Sequence, residues 1–531
     1  MAASSIRPSR GAALVLGAAI LLFAGSAWAE GTLTVGMTAG DLPQTTGNPD
    51  QGFEGYRFVG YNLYDSLVLW DLSQGEKASD IKPGLATEWH IDEADNKRWI
   101  FTLRQGVKWH DGCPFTADDV VWNLGYSNDE KAPQFNPAQF AQARPYLGTY
   151  AGVEKIDDHT VAFTTKVPDS LFPYEISYVL MISPCRAKEV NNNWTEYALK
   201  PSGTGPYKFD KMVPHQRLEL VPNTDYWDKA RLPKQDRLVL LPMPEASTRT
   251  SALLSGQVNW IEAPSPDAID RLKSARIQVV TKVYPHNWSY QLNFVKGPFA
   301  DKRIRRAANY ALNREDMKDL LNGLMLEEYA TVPPSTAYYG KPLLYKYDPN
   351  KARALLKEAN CLPCKVKFAI STSGSGQMQP LPMNELVKSQ LDAAGFEVTL
   401  DTMDWNALLK LGREGAEEHP DTHAINISRQ TQDPFNALIR HVWSGAWAPK
   451  GSNWGHYSSP EMDKLIESIL SEFDTAKRLA LLTKLHELMN EEAALIFVAH
   501  DVNPRAMSPK VKGFVQAQSW FQDLTPVTVS P

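Results

Sequence analysis

Hydrophobic and polar positions alternate over short stretches in the first half of the chain. Trp99, Phe101 and Leu103 occupy every second position of one stretch, which is the pattern of a half-buried strand. A helix is predicted to begin after Thr116, because two aspartates follow it and negative side chains are favoured in a first turn. Further strands or strand pairs are predicted over residues 31–37, 152–166, 202–227 and 258–261, with a helix leading into a strand over 61–70 and a short helix over 248–256.

The second half of the chain changes to an alternation of helical and strand-like segments. Helices are predicted over 304–321, 349–360, 381–394 and 405–411, two more helices within 461–489, and strands over 364–371, 396–403 and 493–499. This alternation is typical of an α/β unit. The whole chain is therefore predicted to be a mixed α/β protein with at least two units.

The first residues have the features of a secretory signal peptide. Arg7 and Arg10 precede an apolar run over 11–24, and Ala27-Trp28-Ala29 provides a small-residue cleavage site. The alternative is an uncleaved anchor, but the run is shorter than the roughly 20 residues that a spanning helix needs. We expect cleavage before Glu30. No cysteine stands directly after this site, so a lipid-anchored form is not expected. The mature protein is predicted to be periplasmic and not to span the membrane.

Composition and charge narrow the function classes. Hydrophobic residues make up 43% of the chain and charged residues 22%, so a large folded core is expected. Loss of Arg7 and Arg10 with the signal peptide, which holds no acidic residue, changes the formal net charge from −6 to −8. A mildly acidic protein gives no indication of nucleic-acid binding.

One long segment resembles a known family. Residues 84–123 contain W-x-F-x-L-R-x-G-V-K-W-H-D-G-x-P-F-T-A-D-D-V, which closely resembles a segment of the bacterial extracellular solute-binding proteins of family 5. These are the peptide-, opine- and nickel-binding receptors of ABC importers. Further matches follow in the family's order at 60–68, 202–209, 223–227, 299–316, 347–359 and 457–467.

The resemblance implies a two-lobe periplasmic-binding-protein-like fold of the class with an extra subdomain, in which hinged lobes surround a ligand cleft. The implied segments are a signal peptide (1–29), the first part of lobe I (30–71), an inserted subdomain of lobe I (72–200), the continuation of lobe I (201–295), lobe II (296–496) and a C-terminal return to lobe I (497–531).

Four cysteines suit an oxidising compartment. Cys361 and Cys364 form a C-x-x-C between a predicted helix and a predicted strand, whereas a redox motif of the thioredoxin type opens a helix. No second pair completes a zinc site. A small structural disulfide is therefore the favoured interpretation. The pairing of Cys113 and Cys185 stays open, and no metal or cofactor is predicted.

Ligand is expected in the cleft, on loops at strand ends. Three stretches fit: the loop 41–56, the Gly/Ser-rich loop 372–378, and 428–454. An acidic residue beside aromatic faces suits a cationic amine, although core packing is the alternative for each tryptophan. The candidate ligand-binding residues are Asp41, Phe53, Tyr56, Ser373, Gln377, Trp405, Arg429, Asp433, Trp443, Trp447 and Trp454.

Departures from the peptide-binding relatives bear on the ligand. Asp433-Pro434 is kept, but Gln430 stands where many relatives have a further Asp, and 372–378 lacks the Arg that clamps a peptide carboxylate in those relatives. An ordinary dipeptide is therefore disfavoured: either Arg429 supplies the cation, or the ligand lacks a carboxylate. Nickel is disfavoured too, because the eleven histidines are scattered.

The predicted function is that of a periplasmic receptor. It captures a small polar solute, peptide-like or opine-like, by lobe closure and delivers it as a monomer to the permease subunits of an ABC transporter. A secreted enzyme, or a sensory or chaperone-like binder on the same fold, is the alternative. The chain has no G-x-S-x-G or H-E-x-x-H motif, so no enzyme is predicted, although a triad assembled from distant residues stays open.

Overall fold

The computed structural model describes residues 31–283 and 285–530. The predicted signal peptide therefore lies outside the described residues. Within those residues, no helix combines the length and the apolar character that crossing a membrane requires.

The chain begins in the first lobe and then builds the inserted subdomain. The first elements are β1 (Thr32–Met37), α1 (Phe53–Gly55), a π-helical turn (Tyr56–Gly60), α2 (Tyr61–Leu63) and β2 (Val68–Trp70). The next are β3 (Ile81–Pro83), β4 (Ala86–Asp92), β5 (Asp95–Leu103), α3 (Ala117–Asn128), α4 (Pro137–Ala143), a 3₁₀ turn (Arg144–Tyr146), β6 (Tyr150–Asp157), β7 (Thr160–Thr165), α5 (Phe172–Ile176), α6 (Pro184–Glu189) and α7 (Trp194–Leu199).

The chain then completes the first lobe and enters the second. The elements up to the crossing are β8 (Tyr207–Val213), β9 (Arg217–Pro222), a 3₁₀ turn (Lys229–Arg231), β10 (Arg237–Pro242), α8 (Ala246–Ser255), β11 (Trp260–Glu262), a 3₁₀ turn (Pro266–Ala268), α9 (Ile269–Ser274) and β12 (Gln278–Val280). After the crossing come β13 (His286–Leu292), a 3₁₀ turn (Pro298–Ala300), α10 (Lys302–Tyr310), α11 (Arg314–Leu320), β14 (Met325–Glu327), α12 (Pro349–Glu358), β15 (Cys364–Ser371) and α13 (Pro380–Ala394).

The rest of the second lobe is followed by a short return to the first. The second lobe continues with β16 (Phe396–Met403), α14 (Trp405–Glu414), β17 (Ala424–Ile425), β18 (Arg429–Gln430), a π-helical turn (Phe435–Ile439), α15 (Arg440–Val442), a 3₁₀ turn (Ser444–Ala446), α16 (Pro460–Leu470), α17 (Thr475–Glu491) and β19 (Leu495–Asp501). The return holds β20 (Arg505–Met507), β21 (Val511–Lys512) and β22 (Thr528–Val529).

Each lobe is built on its own sheet. The first lobe has strand order β12-β20-β11-β1-β10-β9-β8, with β1 parallel to both β10 and β11. The second has strand order β14-β19-β13-β17-β15-β16, with β18 also paired to β13. The subdomain is an antiparallel sheet of order β4-β5-β7-β6. Each sheet packs its apolar side chains into a separate core, as expected of units with independent hydrophobic faces.

Two chain crossings join the lobes. The first runs from β12 to β13 and the second from β19 to β20. They run side by side, since the backbone N–H of Lys282 donates to the carbonyl of Val502 at 3.1 Å. Such paired crossings are the place where a two-lobe protein hinges.

Local chemistry explains several element starts. The helix predicted after Thr116 is present as α3, and Asp119 Oδ2 accepts from the backbone N–H of Thr116 at 2.9 Å. This contact satisfies a donor at the helix start that has no partner within the helix itself. The Trp99, Phe101 and Leu103 side chains lie on the buried face of β5, as their alternation predicts.

Three predicted boundaries need correction. The helix predicted over 61–70 begins earlier, at Phe53, directly after Gly52, and ends at Leu63. The helix predicted over 304–321 is two helices, because the Asn313 side chain accepts from the N–H of Glu315 and so caps a new helix. The implied second lobe, 296–496, leaves out β13 and the end of β19, both of which pair within the second sheet.

Candidate functional site

The cleft between the lobes encloses a cavity that we call the arginine cavity, with a volume of about 180 Å³. Side chains from both lobes line it: Asp50, Phe53 and Tyr146 come from the first lobe and its subdomain, and Trp405, Arg429 and Arg440 come from the second lobe. Both π-helical turns lie at this cleft, one just after Phe53 and the other just before Arg440. Such turns are frequent at functional sites.

Arg429 enters the cavity from β18, next to the buried strand β13. When the Gln291 amide is oriented with its oxygen toward Arg429, that oxygen accepts from Nε and Nη2 of the arginine, each at 2.9 Å. The group that accepts these two hydrogen bonds from Arg429 is therefore a neutral amide. Burial, and next the like charge of Arg440, lower the pKa of Arg429 to about 9. Among the described residues, no carboxylate forms an ion pair with this guanidinium group.

Arg440 begins α15 and is buried. Its Nη1 donates to Asn436 Oδ1 at 2.5 Å, whereas its Nε has no acceptor within hydrogen-bond distance among the described residues. Burial lowers the pKa of Arg440 as well. A buried donor without an acceptor costs free energy, so this group favours an incoming acceptor.

A third arginine lies at the rim of the same cavity. Arg413, near the end of α14, is exposed and also lines a neighbouring groove, whose lining includes Arg144 of the subdomain and Pro449 of the second lobe. Across residues 31–283 and 285–530, no carboxylate oxygen lies within 4.0 Å of a guanidinium nitrogen of Arg413, Arg429 or Arg440. Asp50, on the opposite wall, is the acidic residue that lines the cavity.

Asp433 has its partners within the protein. Its Oδ2 accepts from Tyr178 Oη at 2.7 Å, from Gln430 Nε2 at 3.1 Å and from Asn436 Nδ2 at 2.8 Å. Its Oδ1 accepts from the backbone N–H of Asn436 at 2.9 Å. Tyr178 belongs to the first lobe and Asp433 to the second, so this buried contact joins the lobes behind the cavity.

Aromatic rings form the wall of the cavity on the first-lobe side. Tyr146 stacks on Tyr178 with ring centroids 4.4 Å apart, and Phe53 contacts Trp520 at 4.8 Å. Phe53 also meets Tyr178 edge-on at 6.1 Å. The tyrosine and tryptophan rings among them combine an apolar face with a polar tip, which suits a water-containing binding cavity.

The Gly/Ser-rich loop after β15 separates the arginine cavity from a second cavity. Ser375 lines the arginine cavity, whereas Ser373 lines the second. Gln377 is buried and braces the loop, donating to Ser371 Oγ at 3.1 Å and to the carbonyl of Asn426 at 2.9 Å. Gly376 has φ +70°, and a Cβ there would lie 2.6 Å from Trp520 Cη2, so only glycine fits.

The second cavity, which we call the glutamate cavity, lies toward the crossings and has a volume of about 140 Å³. Glu54, Arg57, Glu262 and Arg505 line it from the first lobe. Glu262 pairs with Arg57 and, at 2.6 Å, with Arg505. Burial, and then the charge of Glu262, raise the pKa of Glu54 to about 8, so Glu54 is the protonated member of the pair.

Two predicted site residues of the first lobe lie outside both cavities. Asp41 Oδ2 pairs with His215 Nδ1 at 2.7 Å instead, because the loop directs it to the β8–β9 turn. Tyr56 is buried behind Phe53, and its hydroxyl donates to the carbonyl of Tyr178 at 3.2 Å. Phe53, by contrast, lines the arginine cavity.

Three predicted tryptophans of the second lobe also lie away from the two cavities. Trp454 is fully buried in the core beneath α14, and Trp443 packs against the core around α16 and α17. Trp447 is 38% exposed and stacks on the His456 ring at 5.1 Å. Packing against neighbouring side chains, the alternative for each of them, accounts for all three positions.

The sequence did not point to several residues that line the arginine cavity. Arg413, Arg440, Tyr146, Asp50 and Trp520 come from five separate segments of the chain. Arg440 lies within the candidate stretch 428–454, and its position seven residues after Asp433 is the sequence feature that could have identified it as a cavity residue. Tyr146 and Trp520 carried no local signal, because a 3₁₀ turn and the C-terminal return bring them to the cleft.

All four cysteines are paired. Cys361 joins Cys364 at the turn between α12 and β15, and Cys113 joins Cys185 across 72 positions of the sequence. Asp111 lies close enough to Cys113 and Cys185 to form a three-residue group of potential metal ligands. The sulfurs of both cysteines are held in the disulfide, and metal binding needs thiolates.

These features define a two-lobe binding-protein fold with a cavity in its cleft. Residues 80–464 match the model of the bacterial extracellular solute-binding proteins, family 5. The chain belongs to this family, as the resemblance predicted, and is a solute-binding component of ABC importers.

Individual relatives agree along nearly the full length. The chain is 26% identical to the dipeptide-binding protein of Escherichia coli, over 91% of this chain and 94% of the relative. It is 27% identical to the periplasmic oligopeptide-binding protein of Salmonella typhimurium, over 93% of each. The solved structure of a periplasmic binding protein of Helicobacter pylori in complex with the peptide STSA superposes with a TM-score of 0.81 and 25% identity, covering 94% of this chain and 98% of that one.

Proposed function

We propose that the arginine cavity is the solute site and that its ligand is a small peptide-like or opine-like molecule. The observation that carries this proposal is the cavity itself, enclosed between the lobes and lined from both of them. A ligand held there contacts both lobes only when they are closed, so its binding favours the closed state.

The site residues that we propose combine predicted and newly found positions. Phe53, Trp405 and Arg429 were predicted and line the cavity, while Tyr146 and Arg440 join them. Asp433 does not line the cavity, and we propose that it stabilises the contact between the lobes by accepting a hydrogen bond from Tyr178. Ser373 and Gln377 belong to the loop that shapes the cavity.

The family and the sequence also support a proposal for the biological role. We infer that the mature protein works in the periplasm as a monomer, that its closed form delivers the solute to permease subunits in the inner membrane, and that it performs no chemical reaction on the solute. The relatives named above are binding proteins, which supports the last inference.

A thermal-shift screen of the mature protein tests the ligand class. Residues 30–531 are purified, unfolded and refolded to remove carried-over solute, and screened against di- to pentapeptides, opines, oligosaccharides, polyamines and divalent metals. A ligand at about 100 times its Kd stabilises the fold by about 2.7 kcal/mol. We expect stabilisation by peptides or opines. Stabilisation only by the other groups, or by none, contradicts the proposal.

Two tryptophan variants locate the site. Trp405→Ala removes a cavity wall, so we expect a reduced shift with each stabilising solute. Trp447→Ala removes a tryptophan that lies outside the cavity and is the matched control. Equal loss of the ligand-induced shift in both variants would place the solute elsewhere.

A further inference from the structure

We propose that the arginine cavity selects solutes with a net negative charge, and that a carboxylate or similar oxyanion of the solute binds between Arg429 and Arg440. This inference rests on the proposed function of the cavity as the solute site and adds the charge class of its ligand. It differs from the expectation, drawn from Asp433 and the nearby tryptophans, that this region holds a cationic amine.

The charge of the cavity wall is the first argument. Three arginines line the cavity against one aspartate, Asp50, and none of the three forms an ion pair among the described residues. The three guanidinium groups also lie close enough for Arg413 and Arg440 each to disfavour the charged form of Arg429. An anion placed between them relieves this repulsion and forms charge-assisted hydrogen bonds.

Unsatisfied hydrogen-bond donors are the second argument. Arg440 Nε, Trp405 Nε1 and Ser375 Oγ belong to residues that line this cavity, and these buried atoms have no hydrogen-bond partner among the described residues. Arginine and indole nitrogens only donate, and the serine hydroxyl both donates and accepts. An oxyanion accepts several hydrogen bonds at once, whereas an ammonium group only donates. The hydrogen-bond donors that lack acceptors in this cavity therefore favour an anionic ligand group.

Among the described residues that line the arginine cavity, Asp50 is the only one with a carboxylate that could bind an ammonium group. Asp433 already accepts four hydrogen bonds from Tyr178, Gln430 and Asn436. Gln430 itself is an uncharged amide. Asp50, on the first-lobe wall, accepts from the backbone N–H of Gln44 at 2.8 Å through Oδ1, and we place any solute amine at its Oδ2. A solute with more acidic groups than amines fits this distribution, with its acid on the second lobe and any amine toward Asp50.

Isosteric dipeptides test the inference directly. The affinities of Glu-Glu, Gln-Gln and Lys-Lys for the refolded protein are measured by isothermal titration at low ionic strength. Glu and Gln are compared because they differ in charge but hardly in size. We expect Glu-Glu to bind at least about tenfold more tightly than Gln-Gln, and Lys-Lys to be weakest. Equal binding of Glu-Glu and Gln-Gln, or a preference for Lys-Lys, overturns the inference while leaving the peptide-binding function in place.

Arginine variants assign the preference to the cavity. Arg440→Gln and Arg429→Gln should abolish most of the difference between Glu-Glu and Gln-Gln. Arg413→Gln, at the exposed rim where folding is not at risk, should reduce it. Arg271→Gln, on the exposed surface of the first lobe, is the control and should leave it unchanged. A preference that survives in all three cavity variants overturns the inference.

An inorganic anion extends the test beyond peptides. Sodium sulfate is compared with sodium chloride at equal ionic strength by thermal unfolding. Sulfate stabilises proteins generally, so the result is the difference between variants. We expect the sulfate-specific rise in Tm to be smaller in Arg440→Gln than in the wild type and in Arg271→Gln. An equal rise in all three contradicts an anion site. If no dipeptide binds, the proposed solute class fails and this comparison alone decides the charge inference.

Discussion

The hydroxyl of Tyr178 donates a hydrogen bond of 2.7 Å to Oδ2 of Asp433 and so connects the two lobes through buried side chains. Gln430 Nε2 donates to both members of the pair, at 3.0 Å to Tyr178 Oη and at 3.1 Å to Asp433 Oδ2. Burial, and next the Asp433 charge, raise the pKa of Tyr178 well above its ordinary value. The hydroxyl therefore keeps its proton, and the contact between the lobes persists across physiological pH.

Removal of this hydroxyl should weaken ligand binding. In Tyr178→Phe the closed state loses a hydrogen bond to a charged group, which contributes about 1.5–3 kcal/mol, so we expect a Kd at least about tenfold higher. The Kd is measured by isothermal titration with a solute that stabilises the protein in the thermal-shift screen. Tyr197→Phe is the control, since its hydroxyl donates within the first lobe, to the carbonyl of Ser202 at 2.7 Å. Equal losses of affinity would show that the Tyr178 contact has no special role in closure.

Asp433→Asn separates a lobe contact from an amine site. The substitution removes the charge that Tyr178, Gln430 and Asn436 share, so affinity should fall for every solute that closes the lobes. We therefore expect the same fold-loss for a peptide with a free amino group and for its N-acetylated form, measured by titration of both. A loss confined to the free-amine form would mean that Asp433 holds the ligand amine.

Much of the fold could be predicted from the sequence, because strand alternation and helix caps are local. β5 and α3 show this, and the family resemblance supplied the two-lobe arrangement. The arginine cavity could not be predicted in the same way. Arg413 and Arg440 are 27 positions apart, and the packing of α14 against β15 and β17 brings Arg413 to the cavity that Arg440 also lines.

The tryptophans illustrate the opposite case. Trp443, Trp447 and Trp454 are concentrated in a stretch that does reach the cleft, which made them reasonable candidates. A sequence gives the residue types of a stretch but not the direction in which each side chain points. Trp454 points into a core and Trp447 toward His456, so neither lines the cleft cavities.

Gly376 should be intolerant of a side chain. In Gly376→Ala the new Cβ would lie 2.6 Å from Trp520 Cη2 and 2.8 Å from His286 Nε2, and φ is +70°. Strain of this kind costs about 1–3 kcal/mol before the steric clash is added, so Tm and ligand affinity should both fall. Gly106→Ala is the matched control, because its φ is +76° but its Cβ would meet nothing within 4 Å. If both variants lose the same stability, contact with Trp520 does not constrain the loop.

Glu54 should make folding stability depend on pH. Its pKa is about 8 in the folded protein, against an ordinary value of 4.5, so between these values the native state holds a proton that the unfolded chain releases. Stability from this group is complete below the ordinary value and is lost as the pH rises through the folded value, by at most about 1.4 kcal/mol per pH unit. The pKa of Glu262 is lowered instead, so its contribution falls outside this window.

Glu54→Gln tests this assignment, because glutamine does not titrate. We expect the free energy of unfolding, measured by urea denaturation, to fall less steeply between about pH 5 and about pH 8 in the variant than in the wild type. Glu130→Gln alters an exposed glutamate and should follow the wild-type slope. Parallel slopes for Glu54→Gln and the wild type would mean that Glu54 is ionised throughout this range.

Small-angle X-ray scattering of the refolded protein, with and without a stabilising solute, tests most directly the claim that a solute closes the lobes. We predict a smaller radius of gyration with solute than without it, and a scattering curve of the bound form that matches the present structure, in which Tyr178 contacts Asp433 across the lobes. An unchanged radius of gyration at saturating solute, with binding verified by titration in the same sample, would contradict closure of the lobes on the ligand.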